Sequence, residues 1–153
     1  MKVTVAPMWE FNRNKDKYTK IISITEEDRP VGSLGGHHLV LKLWDCVSDT
    51  EYQGKHLTPP SKEECMKAIV FAKTWSEDDN VLIHCAAGIS RSPAIAFGVL
   101  WDRYRDEETV LRTLDHIAVV RKPNLAIMKI WSEVFPDFPF YGAGGLIGGE
   151  YVT

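Results

Sequence analysis

The chain has 153 residues, 44% of them hydrophobic and 25% charged, with 18 basic against 21 acidic side chains and a formal net charge of -3. A chain of this size buries one core without staples, and its balanced charge excludes the basic excess that marks binders of nucleic acid or anionic membranes. Cys46, Cys65 and Cys85 form no paired set, the opening "MKVTVAPMWEF" lacks the apolar core of a secretory signal, and no window reaches the roughly 18 apolar residues of a membrane span. The expectation is a protein of the reducing cytoplasm with no nucleic-acid or membrane partner.

In chain order, "VTVA" (3–6), "KYTKIISIT" (17–25), "HLVLKLWD" (38–45) and "VLIHC" (81–85) read as strands, rich in β-branched or aliphatic residues. The charged "NRNKDKYTK" reads as a solvated turn, with Arg13, Lys15 and Lys17 as candidates to meet a second anionic group on a ligand. Between the third and fourth strands, Ser61 and Glu64 form a capping box ahead of Ala68, Ile69, Ala72 and Trp75 at helical spacing. Pro93 suits the first turn of a helix through "AIAFGVLWDRYR". Two more helices are expected in "DEETVLRTLDHIAVVRK" (106–122) and "NLAIMKIWSEVF" (124–135). The end, "YGAGGLIGGEYVT" (141–153), has five glycines within residues 142–149 and is set apart as a tail on a domain of residues 1–140. Strands alternating with helices predict a single α/β domain: a mostly parallel sheet of four or five strands, helices on both faces, and ligands at the carboxyl ends of the strands. Asp45 and Cys85 both fall at such ends.

The segment from His84 to Ser92 leaves a buried strand and enters a helix whose first N–H groups have no intrahelical acceptor, which makes it an anion cradle. Ala86, Ala87 and Gly88 are small enough for the backbone to curl and, with Ile89 and Ser90, to turn amides inward. Arg91 adds a planar two-pronged donor matched to phosphate oxygens. Cys85 at the base of the cradle sits in the same positive field, which favours its thiolate, and the Ser92 hydroxyl is placed to donate to the sulfur when a covalent bond to it breaks. A cysteine that ends a strand more often packs than reacts; it is the company of His84, Gly88, Arg91 and Ser92 that points to chemistry.

"HCAAGISRS" resembles the signature loop of the cysteine-dependent protein tyrosine and dual-specificity phosphatases, in which His-Cys is followed by five residues, Arg, and Ser or Thr. Over roughly residues 18–135 the order of strands and helices is similar to that of small bacterial-type tyrosine phosphatases. The resemblance implies a tyrosine-phosphatase-like fold and hydrolysis of phosphomonoesters without metal or other cofactor. Cys85 would attack phosphorus, Arg91 and the amides of Ala86, Ala87, Gly88, Ile89, Ser90 and Arg91 would hold the equatorial oxygens, and water would then release phosphate. It also implies an upstream aspartic acid to protonate the leaving oxygen. Asp45 and Asp49 compete for that role; Asp45 is preferred because it closes an apolar strand, whereas Asp49 lies in a polar segment. Trp44-Asp45-Cys46 departs from the Trp-Pro-Asp triplet of the larger tyrosine phosphatases. His84 is expected behind the loop, holding its backbone.

The five loop residues include no lysine, unlike the loops of phosphoinositide phosphatases, so a phosphorylated protein, with phosphotyrosine foremost, or a small aryl phosphate is the expected substrate. Two other classes compete: a catalytically weak phosphate- or phosphoprotein-binding module of the same fold, and a thiol enzyme such as an arsenate reductase or rhodanese. His37, His38, His56 and His116 have no zinc-like spacing and read as exposed or loop residues; Cys65 reads as packing.

Overall fold

Five parallel strands, β1 (Lys2–Ala6), β2 (Lys20–Thr25), β3 (His38–Lys42), β6 (Asn80–His84) and β7 (Leu114–His116), form the central sheet in the order β3-β2-β6-β1-β7. The computed structural model describes residues 1–28, 31–117, 120–142 and 151–152. Side chains of the central strands alternate between two buried faces, which is why "VLIHC" is buried throughout. Val81, Ile83 and Cys85 join Val3, Val5, Ile22 and Ile24 in the larger core, under α2 (Lys62–Ala72), α3 (Arg91–Tyr104), α4 (Glu107–Thr113) and α5 (Leu125–Val134). Leu82 joins Ala6, Ile21 and Phe11 in a smaller cluster under α1 (Met8–Asn14). Helices therefore cover both faces unequally, with one short helix on the second. Among the described residues, no helix is long and apolar enough to cross a membrane.

The four expected strands and the helices around Ala68, Pro93 and Met128 are present. Ser61 caps α2 by accepting the Glu64 N–H at 3.1 Å, but the Glu64 carboxylate turns away to accept the backbone N–H of Lys42 at 3.2 Å. The capping signal thus also ties α2 to β3. Three expectations are corrected. The helix over 106–122 stops at Thr113, and Leu114–His116 becomes the fifth strand because Val5 offers a free ladder edge to them. The "solvated turn" carries the end of α1, with Arg13 lying over Trp9 and Lys15 over Phe11. The polar stretch after Asp49 is a hairpin of β4 (Thr50–Tyr52) and β5 (Lys55–Leu57), turned through Gln53 and Gly54, both at positive φ. Of the tail, residues 143–150 and 153 lie outside the described residues; β9 (Tyr151–Val152) pairs antiparallel with β8 (Val120–Arg121).

Where α3 crosses α5, Trp131 lies on Gly98 and donates its Nε1–H to the Ala94 carbonyl at 2.8 Å. A Cβ at Gly98 would stand 2.1 Å from the indole Cε2. Alanine ordinarily favours a helix by about 1 kcal/mol over glycine. Here the clash dominates, and Gly98→Ala is expected to lower stability by about 1–3 kcal/mol, read as a lower urea midpoint at unchanged slope. A raised midpoint would mean that α5 shifts freely on α3.

Candidate active site

β6 ends beside Ala6 of β1 and Ser23 of β2, and the chain turns through residues 85–90 into α3. The carbonyls of this turn are held from outside. Met8 N–H donates to Ala86 at 3.1 Å, Lys122 N–H to Ile89 at 2.9 Å and Asn124 N–H to Ser90 at 3.0 Å. With the carbonyls turned out, the peptide planes turn their amides in. Among the described residues, the N–H groups of Ala86, Ala87, Ile89 and Ser90 donate to no protein backbone carbonyl. Gly88 sits at φ +72°, and a Cβ there would meet the backbone of Ala6 and Pro7 at 2.5–2.9 Å, so both conformation and space demand glycine.

Cys85 is 2% exposed at the base of this concavity. The Gly88 N–H donates to its sulfur at 3.2 Å, and Ser92 Oγ lies 3.2 Å from it on the other side. Ser90 occupies the N-cap position of α3 without capping it; its hydroxyl donates instead to Asp45 Oδ1 at 2.7 Å. The positive end of the helix is therefore left facing the cradle.

Arg91 is 3% exposed. Its Nη1 donates to the Leu43 carbonyl at 2.9 Å and its Nη2 meets the Glu26 carboxylate at 3.3 Å, while the buried Nε has no protein acceptor. One edge of the guanidinium is clamped and the other is left for a ligand oxygen. Asp45 comes to the rim of the cradle, and its Oδ1 also accepts from Asn124 Nδ2 at 3.1 Å. Two cavities, of about 460 and 340 Å³, meet at Asp45 and Cys46. The larger is walled by Glu26, Trp44, Tyr52 and Lys55, the smaller by Ser90, Lys122 and Asn124. Asp49 lies one residue before β4, away from the lining of both.

The structure thus brings together Cys85, the loop 86–90, Arg91, Ser92 and Asp45. It adds Glu26, Leu43 and Asn124, which the sequence reading had not singled out. Glu26 follows β2 at its carboxyl end, the one signal available for it. Asn124, 3% exposed, does three things at once: its Oδ1 caps α5 by accepting the Ile127 N–H at 3.1 Å, its Nδ2 holds Asp45, and its backbone N–H holds Ser90. Cys65 is packing as expected, its thiol pushed by burial to about 12. Cys46 is pushed up as well, by burial and then by the charges of Asp45, Asp49 and Glu27, so it is a poor nucleophile.

No protein-family model matches the sequence, and no curated protein matches it. Among solved structures, the chain is similar to the Cydia pomonella PTP-2 phosphatase, with 15% identity, a TM-score of 0.56, and coverage of 100% of this chain and 95% of that one. The fold is that of the cysteine-dependent phosphatases. A second structure, of PTPMT1 in complex with PI(5)P, also has 15% identity, covering 86% of this chain and 85% of that one at a TM-score of 0.49. Within the phosphatase fold the loop of residues 85–91 occupies the carboxyl end of the middle strand, the position at which an open parallel sheet presents ligands.

His84, behind the loop, is fully buried, stacks on Phe11 at 4.6 Å, and is lowered to about 4, first by desolvation and then by His38. A depressed histidine contributes stability that is complete above its unfolded value of about 6.5 and is lost as pH falls from there towards about 4. Stability is expected to drop by about 2 kcal/mol from pH 7 to pH 5 on this account, measured by urea unfolding. His84→Gln removes the titrating group, and its pH dependence over that range is expected to be flatter.

Proposed function

We propose that the protein is a phosphomonoester hydrolase of the cysteine-dependent class, with phosphotyrosine as its substrate class. The observation that carries this reading is the Cys85 sulfur between the Gly88 N–H, which donates to it, and Ser92 Oγ, in a loop whose Ala86, Ile89 and Ser90 carbonyls are tied outward. A module that only captured phosphate would gain nothing from a thiol so placed. The absence of basic residues from Ala86 to Ser90 favours a substrate with one phosphate. The aromatic walls of the larger cavity, Trp44 and Tyr52, suit an aryl ester. A thiol that must stay reduced goes with the cytoplasm.

In this mechanism the phosphoryl oxygens sit on the loop amides and on the free edge of Arg91. The Cys85 thiolate forms an S–P bond as the ester P–O bond breaks, and the leaving oxygen takes a proton from the Asp45 carboxyl group. Oδ1 of Asp45 is occupied by Ser90 and Asn124, so the proton resides on Oδ2. Asp45 then takes a proton from water, whose oxygen attacks phosphorus. The S–P bond breaks, Ser92 donates to the departing thiolate, and inorganic phosphate leaves.

The test is hydrolysis of two aryl phosphates, one with an acidic and one with a basic phenol, in chelator and reductant. Asp45→Asn is expected to slow the basic-phenol ester by about 10²–10⁴-fold and the acidic one much less, because only a poor leaving group needs the proton. Asp49→Asn is expected to stay within about twofold of the parent, since Asp49 has no contact with the cradle. The reverse pattern would move the acid to Asp49. A folded parent that binds phosphate and turns over neither ester would make the protein a binding module.

A further inference from the structure

Behind the loop, on the α1 face of the sheet, three polar side chains from three strands form a buried chain. Leu34 N–H donates to His38 Nδ1 at 3.0 Å, His38 Nε2 lies 2.7 Å from Ser23 Oγ, and Ser23 Oγ lies 2.6 Å from His84 Nε2. Ser23 and His84 are fully buried and His38 is 5% exposed, a correction to the expectation of an exposed or loop histidine there. Phe11 lies against both rings, stacked on His84 and tilted on His38 at 5.5 Å.

The first link sets the direction of all the others. A backbone N–H only donates, so His38 Nδ1 is the acceptor and carries no proton. Both imidazoles are held neutral by desolvation, so the His38 proton is on Nε2 and is donated to Ser23 Oγ. The serine has one hydrogen, which it donates to His84 Nε2. The His84 proton is then on Nδ1, a buried nitrogen with no hydrogen-bond partner among the described residues.

We propose that Ser23 and His38 are positioning residues for the catalytic loop: the relay Leu34–His38–Ser23 fixes His84 as its Nδ1–H tautomer and pins its ring, and so holds the residue that immediately precedes the nucleophile. The inference rests on the phosphatase reading for its kinetic consequence, but not for the proton positions. A histidine on a strand, flanked in register by Ala6 and Ser23, is otherwise free to flip or to change tautomer, and each change alters the dipole presented to the loop.

The experiment joins side-chain ¹⁵N NMR of the histidines to steady-state kinetics with an aryl phosphate. In the parent, His38 is expected to be protonated on Nε2 and His84 on Nδ1. Ser23→Ala removes the donor to His84, so its tautomers are expected to mix and kcat to fall on the order of tenfold to a hundredfold, with KM within about twofold. His38→Gln keeps a donor towards Ser23 and a carbonyl for Leu34, and is expected to retain the His84 tautomer and most of kcat. His38→Ala is expected to lose both, and this pair decides the matter if Ser23→Ala does not fold. An Nε2–H tautomer of His84 in the parent overturns the proposal. So does a folded Ser23→Ala or His38→Ala protein with parental tautomer and kcat. If the parent lacks turnover, the phosphatase reading fails while the tautomer measurement still judges the relay.

Discussion

Cys85→Ser is expected to reduce hydrolysis of an aryl phosphate by about 10⁴-fold or more while leaving phosphate binding close to that of the parent. In the proposed mechanism the sulfur is the attacking atom, and it lies at the base of the cradle with Gly88 N–H and Ser92 Oγ each 3.2 Å from it. A serine hydroxyl is a weak nucleophile without a neighbouring base, and His84 does not serve as one: its Nε2 is committed to Ser23 and its ring is buried on the other side of the sheet. The cradle itself depends on the carbonyl ties to Met8, Lys122 and Asn124, none of which involves the thiol. Binding and turnover should therefore separate. Inhibition constants for an unreactive oxyanion, or calorimetric titration with inorganic phosphate, check the first half, and single-turnover kinetics check the second. Turnover that survived would take the nucleophile away from Cys85.

Arg91→Lys is expected to cost about 10³-fold in kcat/KM and, unlike Cys85→Ser, to weaken phosphate binding along with turnover. The guanidinium spends two nitrogens on the protein and leaves the third for a ligand oxygen. Nη1 is spent on the Leu43 carbonyl, Nη2 meets Glu26, and Nε is buried without a protein acceptor. That arrangement needs a rigid fork. An ammonium is a point charge at the end of a flexible stem; if it keeps Glu26 it abandons the oxyanion, and if it turns to the oxyanion it leaves the Leu43 carbonyl and Glu26 unpaired. The contrast between the two variants is the informative result. Equal losses of phosphate affinity in both would indicate that the cradle collapses whenever residues 85–91 are altered.

Much of this site was legible because its residues are contiguous. Strand, cysteine, small residues, arginine and helix follow one another within 81–104, so local chemistry and local geometry coincide. Asp45 was reachable by similar logic, as the end of the apolar run 38–45, although β3 itself stops at Lys42 and Asp45 lies three residues beyond it. Glu26, Asn124 and His38 were not, since each acts across 46 or more residues on a partner that only the assembled sheet brings near, whether Arg91, Asp45 or, through Ser23, His84. His38 shows the cause most clearly: beside His37 and after two glycines it has the surroundings of a loop residue, and only the register Ile21 to His38 reveals it as the first residue of a buried strand. The fifth strand was hidden for a related reason, as three residues carry too little periodicity to be told from the end of the helix before them.

The three backbone ties that turn the loop inside out come from Met8, Lys122 and Asn124, residues spread from one side of the chain to the other. No fragment short of residues 8–124 therefore holds all three ties, and the proposed anion site comes into being only when both ends of that span have docked. An oxyanion seated there is a ligand of the native state alone, so by mass action it raises the free energy of global unfolding and not merely that of a local opening. Amide hydrogens on the far edge strands, distant from any phosphate, should slow their exchange with solvent together with those of the loop.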